Sequence, residues 1–282
     1  MCEKTRFKSE FILQKVTRNN LEIFDLKLIT SEIQYSRRRF DTLAFDENTK
    51  SFVIIEYKNK IDFNVLNQSF KYYKLLLSKP KVYIDRYNEV FNKDFNESDF
   101  EWDKSKVLII GPKFSDKQIE YAKDPKWPFE IWKTTLCNNN CIYYENLESG
   151  EVKKLPVSNE DLSLTENDLL ENRTPKVKDL YFSIKSSLKR EFNNVQDRIL
   201  INAVSYRTNK NLICKVNFLK NSLNIFFYTG SLKGHDNIED ISNKKTEGKA
   251  RYKFKLESKE NMDNFIELFK QAYEESESYD TK

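Results

Sequence analysis

The run Phe52-Val53-Ile54-Ile55, followed at once by Glu56-Tyr57-Lys58, constrains this chain more than any other stretch. Four consecutive apolar residues bounded by polar ones predict a strand buried on both faces, as in the centre of a sheet. That run ends abruptly in opposite charges. Residues 37–46 read as the preceding strand, joined to it by a tight turn at Asp46-Glu47-Asn48-Thr49-Lys50. Side chains alternate along a strand, so Glu56 and Lys58 project to one face and Tyr57 to the other. If the two strands pair antiparallel, Asp41 lies beside that end, and two carboxylates and an ammonium meet at one sheet edge.

Two carboxylates a few ångströms apart repel and need compensating charge. Lys58 supplies part of it, and a divalent cation would supply the rest. Oxygen ligands from Asp41 and Glu56, with the Tyr57 carbonyl as a further donor, suit a hard ion such as Mg²⁺ or Mn²⁺. Such an ion activates water and offsets charge on a phosphoryl oxygen. Lys58 can orient that water or stabilise the transition state electrostatically. These parts fit phosphodiester hydrolysis. The competing reading is a solvated Glu and Lys at the fraying end of a hairpin.

Phe40-Asp41 followed by Glu56-Tyr57-Lys58 resembles the signature of the PD-(D/E)xK nuclease superfamily, with Phe40 in place of the usual proline. More narrowly, RRRFDTLAFDENTKSFVIIEYK is similar to segments of archaeal and bacterial endonucleases related to the RecB-type group. The resemblance covers residues 5–135. It implies a restriction-endonuclease-like mixed sheet flanked by helices. It also implies metal ligation by Asp41 and Glu56, a catalytic Lys58, and a helix bearing Gln-x-x-x-Tyr, here Gln68 and Tyr72. In that superfamily the first helix often carries a further metal-holding Glu, for which Glu10 stands ready, with Glu32 the alternative on the next strand. The activity implied is that of a Mg²⁺- or Mn²⁺-dependent endodeoxyribonuclease. The partner expected is therefore DNA, and a homodimer would suit cutting of both strands. The alternative is a catalytically inactive nuclease-fold protein that binds nucleic acid or a protein partner.

Arg37, Arg38 and Arg39 form the triple-arginine run beside Asp41, and guanidinium groups bind phosphate bidentately. A solvated strand entrance paired with acidic neighbours is the plainer reading of the same run.

Composition removes other chemistries. Five glycines leave no phosphate-cradling loop and no dinucleotide fingerprint, and His235 is the only histidine, which disfavours Ser-His-Asp catalysis. Cys2, Cys137, Cys141 and Cys214 lack zinc-binding spacing, and Cys137 and Cys141 flank Asn138-Asn139-Asn140 as the two ends of a hairpin turn. No signal peptide is visible and no apolar run approaches a membrane span, so a reduced, cytoplasmic protein is expected.

The length, 282 residues, suits two domains. A nuclease-like domain is expected over 1–155, a polar linker over 156–175 and an α+β domain over 176–282. Within the first, helices are expected over 5–19 and 63–78, the second burying Val65, Leu66, Ser69, Phe70, Tyr73 and Leu77. An irregular insertion over 80–103, a helix over 82–91 plus a loop, is expected to lie over the core and near a substrate groove. Further strands follow over 106–112 and 129–133, with a helix capped by Ser115 between them and a hairpin pairing 142–144 with 152–155. The last domain opens with a helix over 178–192, continues with strands over 198–206, 212–218, 223–228 and 251–256, and closes with a helix over 262–273. Through VSYRTNKNLICKVNFLKNSLNIFFYTG, DISNKKTEGKARYKFKLES and the closing LFKQAYEES, it resembles a small uncharacterised domain sometimes labelled "predicted transport protein", although nothing in it can span a bilayer. Residues 176–255 hold 17 Lys or Arg against 7 Asp or Glu, a polyanion-facing balance. Their interleaved aromatics, Phe218, Phe226, Phe227, Tyr228, Tyr252 and Phe254, either stack on bases or form the core.

Overall fold

The computed structural model of the chain describes residues 3–35, 38–124, 126–209, 211–228, 231–234, 237–244 and 249–278, the side chains of 32–35 and 38–39 excepted. Arg37 and His235 lie outside the described residues, as do the side chains of Glu32, Arg38 and Arg39. The chain divides into two compact units, Met1–Ser163 and Leu164–Lys282.

The first unit runs β1 (Lys4–Thr5), α1 (Glu10–Arg18), β2 (Leu26–Tyr35), β3 (Arg38–Asp46), β4 (Ser51–Tyr57), α2 (Val65–Ser78), α3 (Pro80–Phe91), β5 (Lys106–Gly111), α4 (Asp116–Ala122), β6 (Phe129–Cys137), β7 (Cys141–Asn146) and β8 (Val152–Pro156). Its mixed sheet has the order β2-β3-β4-β5-β6-β7-β8, with β1 also on β6. The β2, β3 and β4 strands pair antiparallel, with Thr42 opposite Ile55. The β4–β5 and β5–β6 pairs are parallel, and the helices α2, α3 and α4 supply the crossovers that parallel pairing requires. From α1 to β6, the order is helix, three strands, two helices, strand, helix, strand.

The apolar run of β4 is central as its composition dictates: every residue from Ser51 to Tyr57 is buried. Helix α1 is shorter than the expected 5–19. Ser9 accepts the Ile12 N–H at 3.2 Å and caps it, while Lys4 and Thr5 pair with β6 as strand. Helix α2 buries Val65, Ser69, Tyr72 and Leu76, a stripe rotated from the expected one; Leu77 faces solvent at 42% exposure. Contact with the sheet sets that stripe: Tyr72 packs edge-on against Phe40, with centroids 5.2 Å apart. The insertion over 80–103 does not border the candidate site. Tyr87 and Phe100 pack on Phe45 and Phe52 at the start of β4, the end opposite Glu56. Cys137 and Cys141 are partners across the β6–β7 hairpin. Cys137 is disulfide-bonded, a departure from the fully reduced set expected, whereas Cys141 and Cys214 are free and buried.

The second unit runs α5 (Glu166–Leu170), α6 (Pro175–Glu191), β9 (Gln196–Ile199), β10 (Ala203–Arg207), β11 (Leu212–Phe218), β12 (Leu223–Phe227), β13 (Ile238–Asp240), β14 (Tyr252–Leu256) and α7 (Met262–Ser278). All pairs in its sheet, ordered β13-β14-β12-β11-β10-β9, are antiparallel. The single strand expected over 198–206 is two, because the Leu200 N–H closes a turn onto the Ala203 carbonyl at 2.8 Å, with Asn202 inside it. Part of the expected linker 156–175 is helix α5, which buries Leu169 and Leu170 in the core of this unit. Phe218, Phe227 and Phe254 belong to that core, at 7%, 0% and 0% exposure, and Phe226 is covered by Ile241 and Ala250. Stacking of bases on those four rings is excluded by their burial. No described helix is long and apolar enough to cross a membrane.

Candidate active site

The hydrogen-bonded register of β3 and β4 ends at Thr42 and Ile55. One residue further, the Asp41 carboxylate takes over from the backbone: Tyr57 N–H donates to Asp41 Oδ2 at 3.1 Å. From α1, the buried Gln14 donates its side-chain amide to the Asp41 carbonyl at 3.2 Å. Asp41 is thereby fixed on both its main chain and its side chain.

Glu56 is 2% exposed. Its Oε1 meets Lys58 Nζ at 2.6 Å, and its Oε2 is buried with no hydrogen-bond partner. Buried polar atoms are almost always satisfied, so an orphan carboxylate oxygen marks a place where something else binds. Lys58 is held through its main chain, since its N–H donates to the Ile110 carbonyl at 2.9 Å at the end of β5. The next residue there is Gly111, where a Cβ would stand 2.6 Å from the Lys58 carbonyl oxygen. Only glycine permits that approach.

Glu10, exposed in the first turn of α1, accepts the Asn59 N–H at 3.0 Å, and the Asn59 side chain donates to the Phe7 carbonyl at 3.3 Å. Across the site, Gln68 donates to the Tyr72 hydroxyl at 2.8 Å. Gln68 thus meets Tyr72 and not a carboxylate, while Tyr72 sits at 4% exposure.

The electrostatics follow from this crowding. Burial first, then the neighbouring charge of Asp41, lifts the Glu56 carboxyl from 4.5 to about 7; Lys58 opposes the rise and Glu10 adds to it. Burial acts against the Lys58 ammonium, but the carboxylates of Glu56, Glu10 and Asp41 outweigh it and hold its pKa above the ordinary lysine value. Burial and then the Glu56 charge raise the Tyr72 hydroxyl. Three carboxylates therefore face one ammonium, and the surplus negative charge favours a cation.

Asp41, Glu56, Lys58, Glu10 and the Gln68–Tyr72 pair all belong to one electrostatic neighbourhood. Among the described residues, however, no three Asp, Glu, His or Cys side chains converge closely enough to hold a metal ion, so Glu10 stands outside the Asp41–Glu56 pair as arranged. An open cleft of about 460 Å³ adjoins the site, lined by Glu10, Lys58, Lys60, Ile61, Asp62, Phe63 and Asn64. A second cleft, of about 440 Å³, lies at the opposite end of β5 around Lys106 and Glu130, away from every expected site residue. Sequence reasoning missed Gln14, Asn59 and Gly111. The Gln14 signal was present, since it stands one helical turn after Glu10 on the same face. Gly111 ends an apolar strand in a chain of few glycines. Asn59 had none.

No known family profile matches the chain. An uncharacterized protein of Haemophilus influenzae is 28% identical over 292 residues, spanning 96% of this chain and 94% of that one. A repair endonuclease from Pyrococcus abyssi is 15% identical with a TM-score of 0.28, over 46% of this chain and 50% of that chain. EndoMS in complex with double-stranded DNA is 15% identical with a TM-score of 0.30, over 46% of this chain and 47% of that chain. The chain thus matches about half the length of these solved chains.

Proposed function

We propose that this chain is a metal-dependent nuclease hydrolysing DNA phosphodiester bonds at Asp41, Glu56 and Lys58. The observation that carries the reading is the buried Glu56, one oxygen on Lys58 and the other orphaned beside Asp41. That donor set fits a hard divalent cation: two carboxylates in fixed positions, excess negative charge and no competing soft ligand. Asp41 and Glu56 would hold Mg²⁺ or Mn²⁺, with Glu10 at the edge. A cation bound there supplies Lewis-acid stabilisation of a phosphoryl oxygen and acidifies water.

The residues of the chain supply the rest. The Lys58 ammonium, kept charged by its carboxylate neighbours, stabilises negative charge developing on a non-bridging phosphate oxygen. Gln68, held by Tyr72, orients groups on the far side of the site. Arg37, Arg38 and Arg39 would meet phosphates along the strand that leads into Asp41. Residues 164–282 would position nucleic acid through phosphate contacts from Lys215, Lys253 and Lys255. These alternate with the buried side chains of β11 and β14 and stand half-buried or exposed. A homodimer would present two such sites to the two strands of a duplex.

One observation favours the other reading, an inactive nuclease-fold protein that binds nucleic acid or a protein partner: three metal-holding side chains do not converge among the described residues. Calorimetric titration with Mn²⁺ separates the two. Binding by the wild type that disappears in the Asp41→Ala, Glu56→Ala double variant is expected, together with cleavage of DNA in the same buffer. Lys58→Ala is expected to lose cleavage by at least about a hundredfold, the size of one lost electrostatic contact, while DNA affinity stays. A wild type that binds no Mn²⁺ even with DNA present supports the inactive reading.

A further inference from the structure

The loop that leaves the site, residues 58–64, is pinned along its length. Asn59 is tied to Glu10 and to the Phe7 carbonyl, at 3.0 and 3.3 Å. The Asp62 carbonyl accepts the Gln118 side-chain amide at 2.7 Å, and Gln118, 3% exposed, is itself locked in the capping box of α4 with Ser115. The Asp62 side chain accepts the Asn64 N–H at 2.9 Å, and its carbonyl accepts the Val65 N–H at 3.2 Å. A backbone so fixed leaves its side chains where the fold puts them.

It puts Phe63 in water. At 77% exposure Phe63 is the most exposed large apolar side chain among the described residues, with Ile61 beside it at 39%. A single exposed apolar residue needs no explanation. This one, however, lines the same cleft as Lys58, Lys60 and Glu10. An aromatic face and two ammonium groups around one open cleft match the two chemical halves of a nucleotide, its base and its phosphate.

We propose that Phe63 is a base-stacking residue of this site, taking the face of a nucleobase next to the phosphate held by Lys58 and Lys60. The proposal rests on the nuclease reading and deepens it. A base inside a duplex has both faces covered by its neighbours, so the base that meets Phe63 is unpaired or turned out of the stack. The preferred substrate is therefore DNA that is single-stranded or locally opened beside the cut.

The test is fluorescence anisotropy on the full chain in EDTA, where cleavage is off. It uses a labelled single-stranded oligonucleotide and a second strand of the same length built from abasic residues. Phe63→Ala is expected to bind the base-bearing strand about tenfold more weakly, the lower range for a lost stack, and the abasic strand within twofold of wild type. Phe63→Trp restores the first affinity. Circular dichroism melting checks that both variants are folded, as the exposure of Phe63 leads one to expect.

Equal affinities of wild type and Phe63→Ala for the base-bearing strand overturn the proposal. So does an equal loss on both strands, which would make the effect one of charge placement. If wild type cleaves DNA while Phe63→Ala binds as wild type does, stacking falls and the nuclease reading stands. If wild type binds neither strand and cuts no DNA, both fall.

Discussion

At Glu56 the two carboxylate oxygens live in different surroundings, one on an ammonium and one on nothing, and burial with the neighbouring Asp41 charge raises the carboxyl. Its pKa of about 7, against the ordinary 4.5, means that the folded chain keeps a proton which the unfolded chain releases. Between those pH values the native state binds more protons than the unfolded state, so stability falls as pH rises and levels off above the folded pKa. The fall integrates to about 3 kcal/mol at most for one group, from about 1.4 kcal/mol per unit. Glu56→Gln carries no such loss. In EDTA, its melting temperature is expected to gain on wild type steadily from pH 5 to about 7.5 and then run parallel. Curves parallel over the whole range would mean that Glu56 titrates as an ordinary surface carboxylate. Phe40 and Tyr57, named by their place in the motif, are both at 0% exposure. Their rings serve the core, and the motif's polar members alone face the site.

Among the elements, the ends of β4 and β5 set the position of the ammonium. The parallel pairing of Tyr57 with Ile110 brings the two backbones together, and the approach of Lys58 to Gly111 is too close for a side chain. Gly111→Ala would set a methyl 2.6 Å from a backbone oxygen that no rotamer change can move away. Either β5 or the Lys58 main chain must shift, at a cost of about 2 kcal/mol by analogy with overpacked cores. The expected outcome is a lower melting temperature and a loss of cleavage with Mn²⁺ binding at Asp41 and Glu56 retained. Unchanged cleavage would show that the position of the Lys58 main chain does not matter to the chemistry. The same logic explains α1. Ser9 fixes where the helix starts, so Glu10 and Gln14 land one turn apart on the face that meets Asn59 and Asp41.

For the whole molecule, the division between Ser163 and Leu164 places α5 with the second unit, where Leu169 and Leu170 are 4% and 5% exposed. Glu166 in that helix also accepts from the Tyr181 hydroxyl and pairs with Lys185, both on α6. A fragment starting at residue 164 keeps these contacts, and one starting at 176 loses them. Burying two leucines is worth about 4 kcal/mol, from about 2 kcal/mol each. Fragment 164–282 is thus expected to melt cooperatively and well above fragment 176–282, by calorimetry at equal concentration. Equal melting temperatures would reduce α5 to the linker that its polar composition suggested.

How much of this could be read from the sequence depends on the range of the interaction involved. Local rules were enough for β4, because an apolar run that ends in Glu-x-Lys has one way to sit in a sheet, and for the hairpin that brings Asp41 to its end. Turn chemistry and capping at Ser115 were equally local. At the turn over 200–203 the local signal is weak, since Asn202 is one polar residue after Ile199-Leu200-Ile201, and strand pairing settles it. The buried stripe of α2 and the burial of Phe218, Phe227 and Phe254 also depended on which surfaces met, whereas the insertion over 80–103 packs on the core as expected. The sequence by itself determined that Asp41, Glu56 and Lys58 share an edge, because period-two alternation and antiparallel pairing are properties of neighbouring residues. Only the tertiary structure decided that Glu56 keeps one orphan oxygen, that Gly111 makes room for Lys58, and that Phe63 stands in water beside them. The approach of Gly111 to Lys58 and the hold of Gln118 on Asp62 arise from contacts between segments some fifty residues apart, which no local pattern encodes.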